Sequence, residues 1–168
     1  MALTPPFVRG HDHALGESGP VLVLFGDYED PASAEAHRAL SALEGVTYVW
    51  RHLPIGELHP NANGAALAAE GAAAQDAFWA YHHVLLARQD ALSVPDLLNH
   101  AGQIGLEVST LMEDMLEGRH AERVLDDVRS AVDSGTRATP AIFIEGVRWE
   151  GGWEPDALEG ALRAALAG

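Results

Sequence analysis

The feature that most constrains this chain is the apolar run "VLVLF", Val21 to Phe25, which ends in a short turn at Gly26-Asp27-Tyr28 and leads into Asp30-Pro31 and "ASAEAHRAL". A continuous short apolar run bounded by turn residues marks a strand buried on both faces. Asp30 before Pro31 reads as a helix start, with Asp30 as N-cap and Pro31 at the first helical position, and the helix is expected to reach about Leu43. "VTYVWRHLP", Val46 to Pro54, is β-branched and aromatic and stops at a proline, so it predicts a second strand. Strand, helix and strand in about thirty residues make a βαβ unit, with parallel strands and a right-handed crossover.

From Pro60 to about Ser134 the pattern turns to helix after helix: "ANGAALAAEGAAA", "DAFWAYHHVLLARQ", "SVPDLLNHAGQIG", "STLMEDMLEG" and "HAERVLDDVRSAVDSG". Apolar residues recur at three and four spacing, as in Leu92, Leu97 and Leu98 or Val124, Leu125, Val128 and Val132. The chain then returns to "PAIFIEG" and "VRWEGGW", joined by a hairpin at Glu145-Gly146, and closes with an amphipathic helix from Pro155 to Leu166.

At 168 residues the chain suits one folding unit, a single core with an inserted helical subdomain. It contains no cysteine, which excludes a disulfide, a thiolate metal ligand and a thiol nucleophile. All ten basic residues are arginine, so lysine catalysis is excluded too. Twenty-five acidic residues give a formal charge of −15, which repels nucleic acid and anionic membrane surfaces and favours a basic or neutral partner. No apolar run approaches the ~20 residues of a membrane span. "MALTPPFVRGHDHALG" lacks the basic flank and apolar stretch of a secretory signal, so a cytoplasmic location is expected.

The succession of elements, together with "HDHALG", "FGDY", "WRHLPI", "HPNANGAALAAEGAAAQDAFWAYHHVLL" and "SGTRATPAIFIEGVRWEGGW", resembles the DsbA-like thioredoxin-fold family over nearly the whole chain. The resemblance implies an α/β fold with a mixed sheet of four or five strands. The thioredoxin-like part would comprise residues 14–58 and 136–168, and the helical insert residues 60–134. In that family the residues after "FGDY" form C-x-x-C, a protein disulfide oxidoreductase centre; Asp30 and Ser33 occupy the two cysteine positions here. Free N–H groups and the helix dipole favour an anion at such a helix start, which in the family lowers the thiol pKa. A carboxylate satisfies the same field without being able to exchange a disulfide. Thr139-Pro140 resembles the family's cis-proline loop, which presents backbone groups to an extended substrate peptide.

Other candidates have simpler readings. Asp30 followed by Pro31 is well explained as a helix cap. Ser33 and His37 lie four apart on one helix face, but neighbours on one helix rarely orient as nucleophile and base opposite an oxyanion hole. His37, His52, His59 and His82 fall where the family commonly has histidine. His11 and His13 lack a clear third ligand, and His82 and His83 point about 100° apart on a helix, so no metal is assigned. Phe78, Trp79, Tyr81 and Trp149 read as core, whereas Trp153 follows two glycines that allow close backbone approach. The expected function is therefore binding of a peptide or protein by Asp30, Pro31, Ser33, Thr139, Pro140 and Trp153, with no cofactor and without thiol–disulfide exchange. Two alternatives stand beside it: a glutathione-using isomerase or transferase of the same fold, against which the charge of Asp30 counts because it would repel a bound thiolate, and a structural subunit of a larger complex.

Overall fold

The structure, a computed structural model, describes residues 3–167. Its elements are strand β1 (His13–Leu15), β2 (Val21–Gly26), helix α1 (Pro31–Ser41), β3 (Thr47–His52), α2 (Ala62–Ala73), α3 (Phe78–Ala87), α4 (Val94–Gln103), α5 (Val108–Glu117), α6 (Ala121–Asp133), β4 (Ala141–Ile144), β5 (Val147–Trp149) and α7 (Pro155–Leu166). The five strands form one mixed sheet in the order β1-β3-β2-β4-β5. β2 and β3 are parallel, as expected of a βαβ unit, and the other neighbours are antiparallel.

Because β2 is paired on both sides, its alternating side chains feed two separate cores. Leu22 and Leu24 pack with Tyr48, Trp50, Leu40, Ile142 and Ile144 on one face. Val23 and Phe25 pack with Val49, Phe143 and Ala131 on the other. Gly26 closes the strand under the Trp50 indole, and a Cβ there would clash with the ring at Cη2. At the β4–β5 hairpin Glu145 and Gly146 both have positive φ, 49° and 76°, the backbone of a tight two-residue turn.

Two parts of the fold depart from the sequence reading. β1 was not expected as a strand; it pairs antiparallel with the edge of β3, His13 opposite Trp50. The second concerns α6. Leu125 and Val132 are 43% and 44% exposed, and the inward face is Val124, Val128, Ala131 and the buried Asp127. Leu125 and Val132 lie about 100° and 80° round the helix from Val124, off that face.

The N-terminal segment is fastened by buried charge. The Asp12 carboxylate accepts from Arg51 Nε at 3.0 Å and Nη2 at 2.7 Å, and from the backbone and side chain of Arg9 at 2.7 and 2.8 Å. Arg51, 1% exposed, also donates to Ser130 Oγ on α6 and to the Phe7 carbonyl. Burial would push the Asp12 carboxyl up, but the hydrogen bonds and charge of Arg51 and Arg9 outweigh it and hold the group at about 2. A carboxylate depressed in the folded state contributes stability above its unfolded value, and that stability disappears as pH falls through the folded one. We expect Asp12→Asn to cost about 2 kcal/mol near neutral pH. In urea denaturation the gap from wild type should close as pH falls from 3.8 towards about 2.

Candidate functional site

The turn that joins β2 to α1 is held by three short polar side chains. Asp27, 2% exposed, accepts from Glu29 N at 2.8 Å on one oxygen, and from Ile55 N and His59 Nδ1, both at 2.8 Å, on the other. The turn is thereby tied to the loop after β3. Asp30 caps α1, accepting from Ala32 N at 3.0 Å and Ser33 N at 3.1 Å. The fully buried Ser33 hydroxyl donates to Asp30 Oδ2 at 2.7 Å and accepts from Asp27 N at 3.1 Å. Gln89, just beyond α3, clamps the turn from the helical side by donating to the Tyr28 and Asp30 carbonyls at 2.8 and 3.0 Å.

Asp30 thus spends most of its acceptor capacity on the cap. A carboxylate offers about four lone-pair sites, and three are filled from within the chain. Half-buried, it keeps a fixed charge and room for one more donor. Pro31 is exposed at the first helical position. The Ser33 hydroxyl is engaged in the turn and, among the described residues, forms no hydrogen bond with the His37 ring, so the pair is not arranged as nucleophile and base.

The sheet register sets Ala141 opposite Phe25, so Pro140 enters the sheet beside the end of β2 and the turn that follows it. The Thr139–Pro140 peptide is cis. Thr139 and Pro140 are half-buried and Arg137 and Ala138 exposed. Among the described residues, Arg137, Ala138 and Thr139 make no backbone–backbone hydrogen bond. Trp153 lies elsewhere: it lines a groove with Glu35, Arg38, Ala39 and Leu43, further along α1.

Four of the nine histidines fall into two groups. His13 and His52 both contact Glu70 Oε1, at 2.7 and 2.8 Å, and His13 stacks on Phe78. Ligand atoms of this trio lie within 4.8 Å of one another, the spacing of a metal site. However, Trp50 Nε1 donates to His52 Nδ1 at 3.3 Å, and an indole N–H can only donate. His52 Nε2 therefore carries the ring proton and donates to Glu70, whereas a metal at Nε2 would need that proton on Nδ1, facing the indole N–H. Burial would raise the Glu70 carboxyl, and the bonds from His13 and His52 bring it below the ordinary carboxylate range. The sequence reading had set His13 with His11; its partners come instead from β3 and α2.

The second group is a buried chain. Tyr28 Oη lies 2.7 Å from His82 Nδ1, His82 Nε2 lies 3.3 Å from His37 Nδ1, and Tyr48 Oη lies 2.9 Å from the same His37 nitrogen. Burial pushes both tyrosines up and keeps them protonated. Burial, with His37 and His83 as further contributors, pushes His82 well below the usual histidine range; burial, then His83 and Arg38, pushes His37 down to about 4. Both rings are neutral at physiological pH.

Residues 32–163 match the family described as the DSBA-like thioredoxin domain. BdbD from Bacillus subtilis, in its oxidised form, superposes with a TM-score of 0.86 at 21% identity, covering 99% of this chain and 98% of that one. A thioredoxin-like oxidoreductase from Silicibacter pomeroyi superposes at 0.83 with 25% identity, covering 95% of each chain. The chain belongs to the DSBA-like thioredoxin domain family, as a member without cysteine.

Curated relatives of another name share its sequence. Na(+)/H(+) antiporter NhaA 1 of Salinispora arenicola is 38% identical over 172 residues, and NhaA 3 of Salinispora tropica 39% identical over 171. The matches cover 99% and 98% of this chain and 26% of each antiporter, so the chain spans about a quarter of the length of these relatives. Among the described residues no helix is long and apolar enough to cross a membrane.

Removing the cap carboxylate leaves Ala32 N, Ser33 N and the Ser33 hydroxyl without their partner. We expect Asp30→Ala to cost about 1–2 kcal/mol in chemical denaturation at neutral pH, and Asp30→Asn much less, because asparagine also caps.

Proposed function

We propose that this chain is a DsbA-like domain without redox chemistry that acts by binding, its ligand an extended peptide or a partner protein held beside Thr139–Pro140. The observation that carries the reading is the stretch from Arg137 to Thr139, which among the described residues makes no backbone–backbone hydrogen bond where the chain approaches β4; the Ala138 carbonyl is taken up, by the Thr136 hydroxyl at 3.3 Å. Unpaired backbone next to a sheet is what an extended segment adds to, and hydrogen bonds along the main chain supply the affinity. Asp30 supports a preference for a basic residue in that segment, through its fixed charge and its remaining lone pair. The net charge of −15 favours the same partners, most strongly at low salt.

Disulfide exchange requires an attacking sulfur, and the chain has none. The purified protein is expected neither to reduce insulin nor to oxidise a dithiol peptide above a control without protein. The double variant Asp30→Cys, Ser33→Cys should form a disulfide and gain exchange activity if the scaffold of the turn is intact.

A second reading is an accessory domain in a larger assembly, favoured by relatives about four times as long that carry antiporter names. A randomised peptide library screened against wild type, Asp30→Asn and Pro140→Ala separates the two. Selected peptides with a basic residue, weakened by both substitutions, support binding at this turn. Peptides indifferent to both place the site elsewhere, and an empty selection favours the accessory-domain reading.

A further inference from the structure

Between α1 and α3 lies a pocket of about 280 Å³ whose polar lining consists of His37, Arg38, Ser41 and His83, with Ala34 and Leu86 among its apolar walls. No aspartate or glutamate lines it, in a chain with 25 acidic residues. Arg38 forms no ion pair among the described residues, although most of the arginines do.

The buried chain behind the pocket fixes which atom His37 presents to it. If Tyr28 donates to His82 Nδ1, then His82 Nε2–H and the Tyr48 hydroxyl share the single lone pair of His37 Nδ1, and His37 carries its proton on Nε2. In the reverse direction the hydroxyl protons of Tyr28 and Tyr48 would both be buried without an acceptor. The forward direction therefore holds. His37 Nε2 makes no hydrogen bond, yet the buried side-chain polar atom left without a partner among the described residues is His100 Nδ1. His37 Nε2–H thus opens on the pocket as a donor held by the core.

We propose that this pocket is a binding site for a carboxylate group, received by the Arg38 guanidinium, His37 Nε2–H and the Ser41 hydroxyl, with His83 at its mouth. A guanidinium and two neutral donors match a carboxylate, and the apolar walls suit the short carbon stem of an organic acid rather than a bare inorganic anion. The repulsive net charge of the chain does not forbid it, since charges beyond about 8 Å are largely screened at physiological salt. The site stands apart from the peptide reading: it rests on α1 and α3 residues outside the Asp30 turn, and either can fail alone.

Proton NMR of the histidine rings provides the test, with sodium acetate as probe and sodium chloride at matched ionic strength as control. Acetate should move the His37 and His83 resonances saturably in the millimolar range and raise the His37 titration midpoint, while chloride does neither. Arg38→Gln should weaken binding about tenfold, the loss of one charge-assisted hydrogen bond. Arg129→Gln, an exposed pair with Glu122 remote from the pocket, should leave it unchanged. Two short peptides, one with a free and one with an amidated C-terminus, distinguish the sources of the group. Competition by the free form alone assigns a chain terminus, and acetate binding without it assigns a small acid. Equal effects of acetate and chloride, or Arg38→Gln binding acetate like wild type, would overturn the proposal.

Discussion

The site depends on β2 being hydrogen-bonded along both of its edges. A strand with β3 on one side and β4 on the other cannot slip, because a shift of one residue would exchange Leu22 and Leu24 for Val23 and Phe25 between the two cores. The end of the strand is fixed with equal strictness by Gly26 under Trp50. Everything at the turn follows from that fixed end: the position of Asp27, the start of α1 at Pro31, and the approach of Pro140 from β4.

A helix start at such a place leaves N–H groups with no intrahelical partner and a partial positive charge. This chain answers that field with Asp30. A carboxylate accepts two backbone N–H groups and the Ser33 hydroxyl together, and Ser33 in turn receives Asp27 N, so the turn becomes a closed hydrogen-bonded unit. The turn thereby becomes a rigid mount for one negative charge.

What the sequence revealed and what it hid divide along sequence separation. The βαβ unit, the Asp30 cap, the five helices between β3 and β4 and the Glu145-Gly146 hairpin are written in local patterns: an apolar run, a cap followed by proline, a three-four periodicity, a pair of turn residues. β1 was missed because what orders it is the charge cluster of Asp12, Arg9 and Arg51, and Arg51 is far along the chain. On α6 the periodicity admitted Leu125 and Val132 to the apolar stripe because no local signal announces that Asp127 turns inward to receive Arg123 and the His52 backbone. Among the site residues, Asp30, Pro31, Ser33 and Pro140 come close in the fold through one turn and one strand register, whereas Trp153 parts from them. Gln89 carried no sequence signal at all: its role depends on where α3 ends.

The buried histidines show how far hydrogen-bond accounting reaches beyond patterns. Tyr28, His82, His37 and Tyr48 come from four different elements or turns, and nothing in their spacing links them. Once assembled they favour one direction, in which His82 and Tyr48 share the His37 Nδ1 lone pair, because reversal strands two hydroxyl protons in the core. A chain with one low-energy direction does not toggle. Tyr28 joins this chain by its hydroxyl and the Asp30 turn by its carbonyl, through Gln89, so the two candidate sites share a residue without sharing a movable part. Communication between sites requires an element with two populated arrangements that each ligand weighs differently. The chain from Tyr28 to His37 lacks the second arrangement, and its contribution is to hold the His37 N–H in place before any ligand arrives.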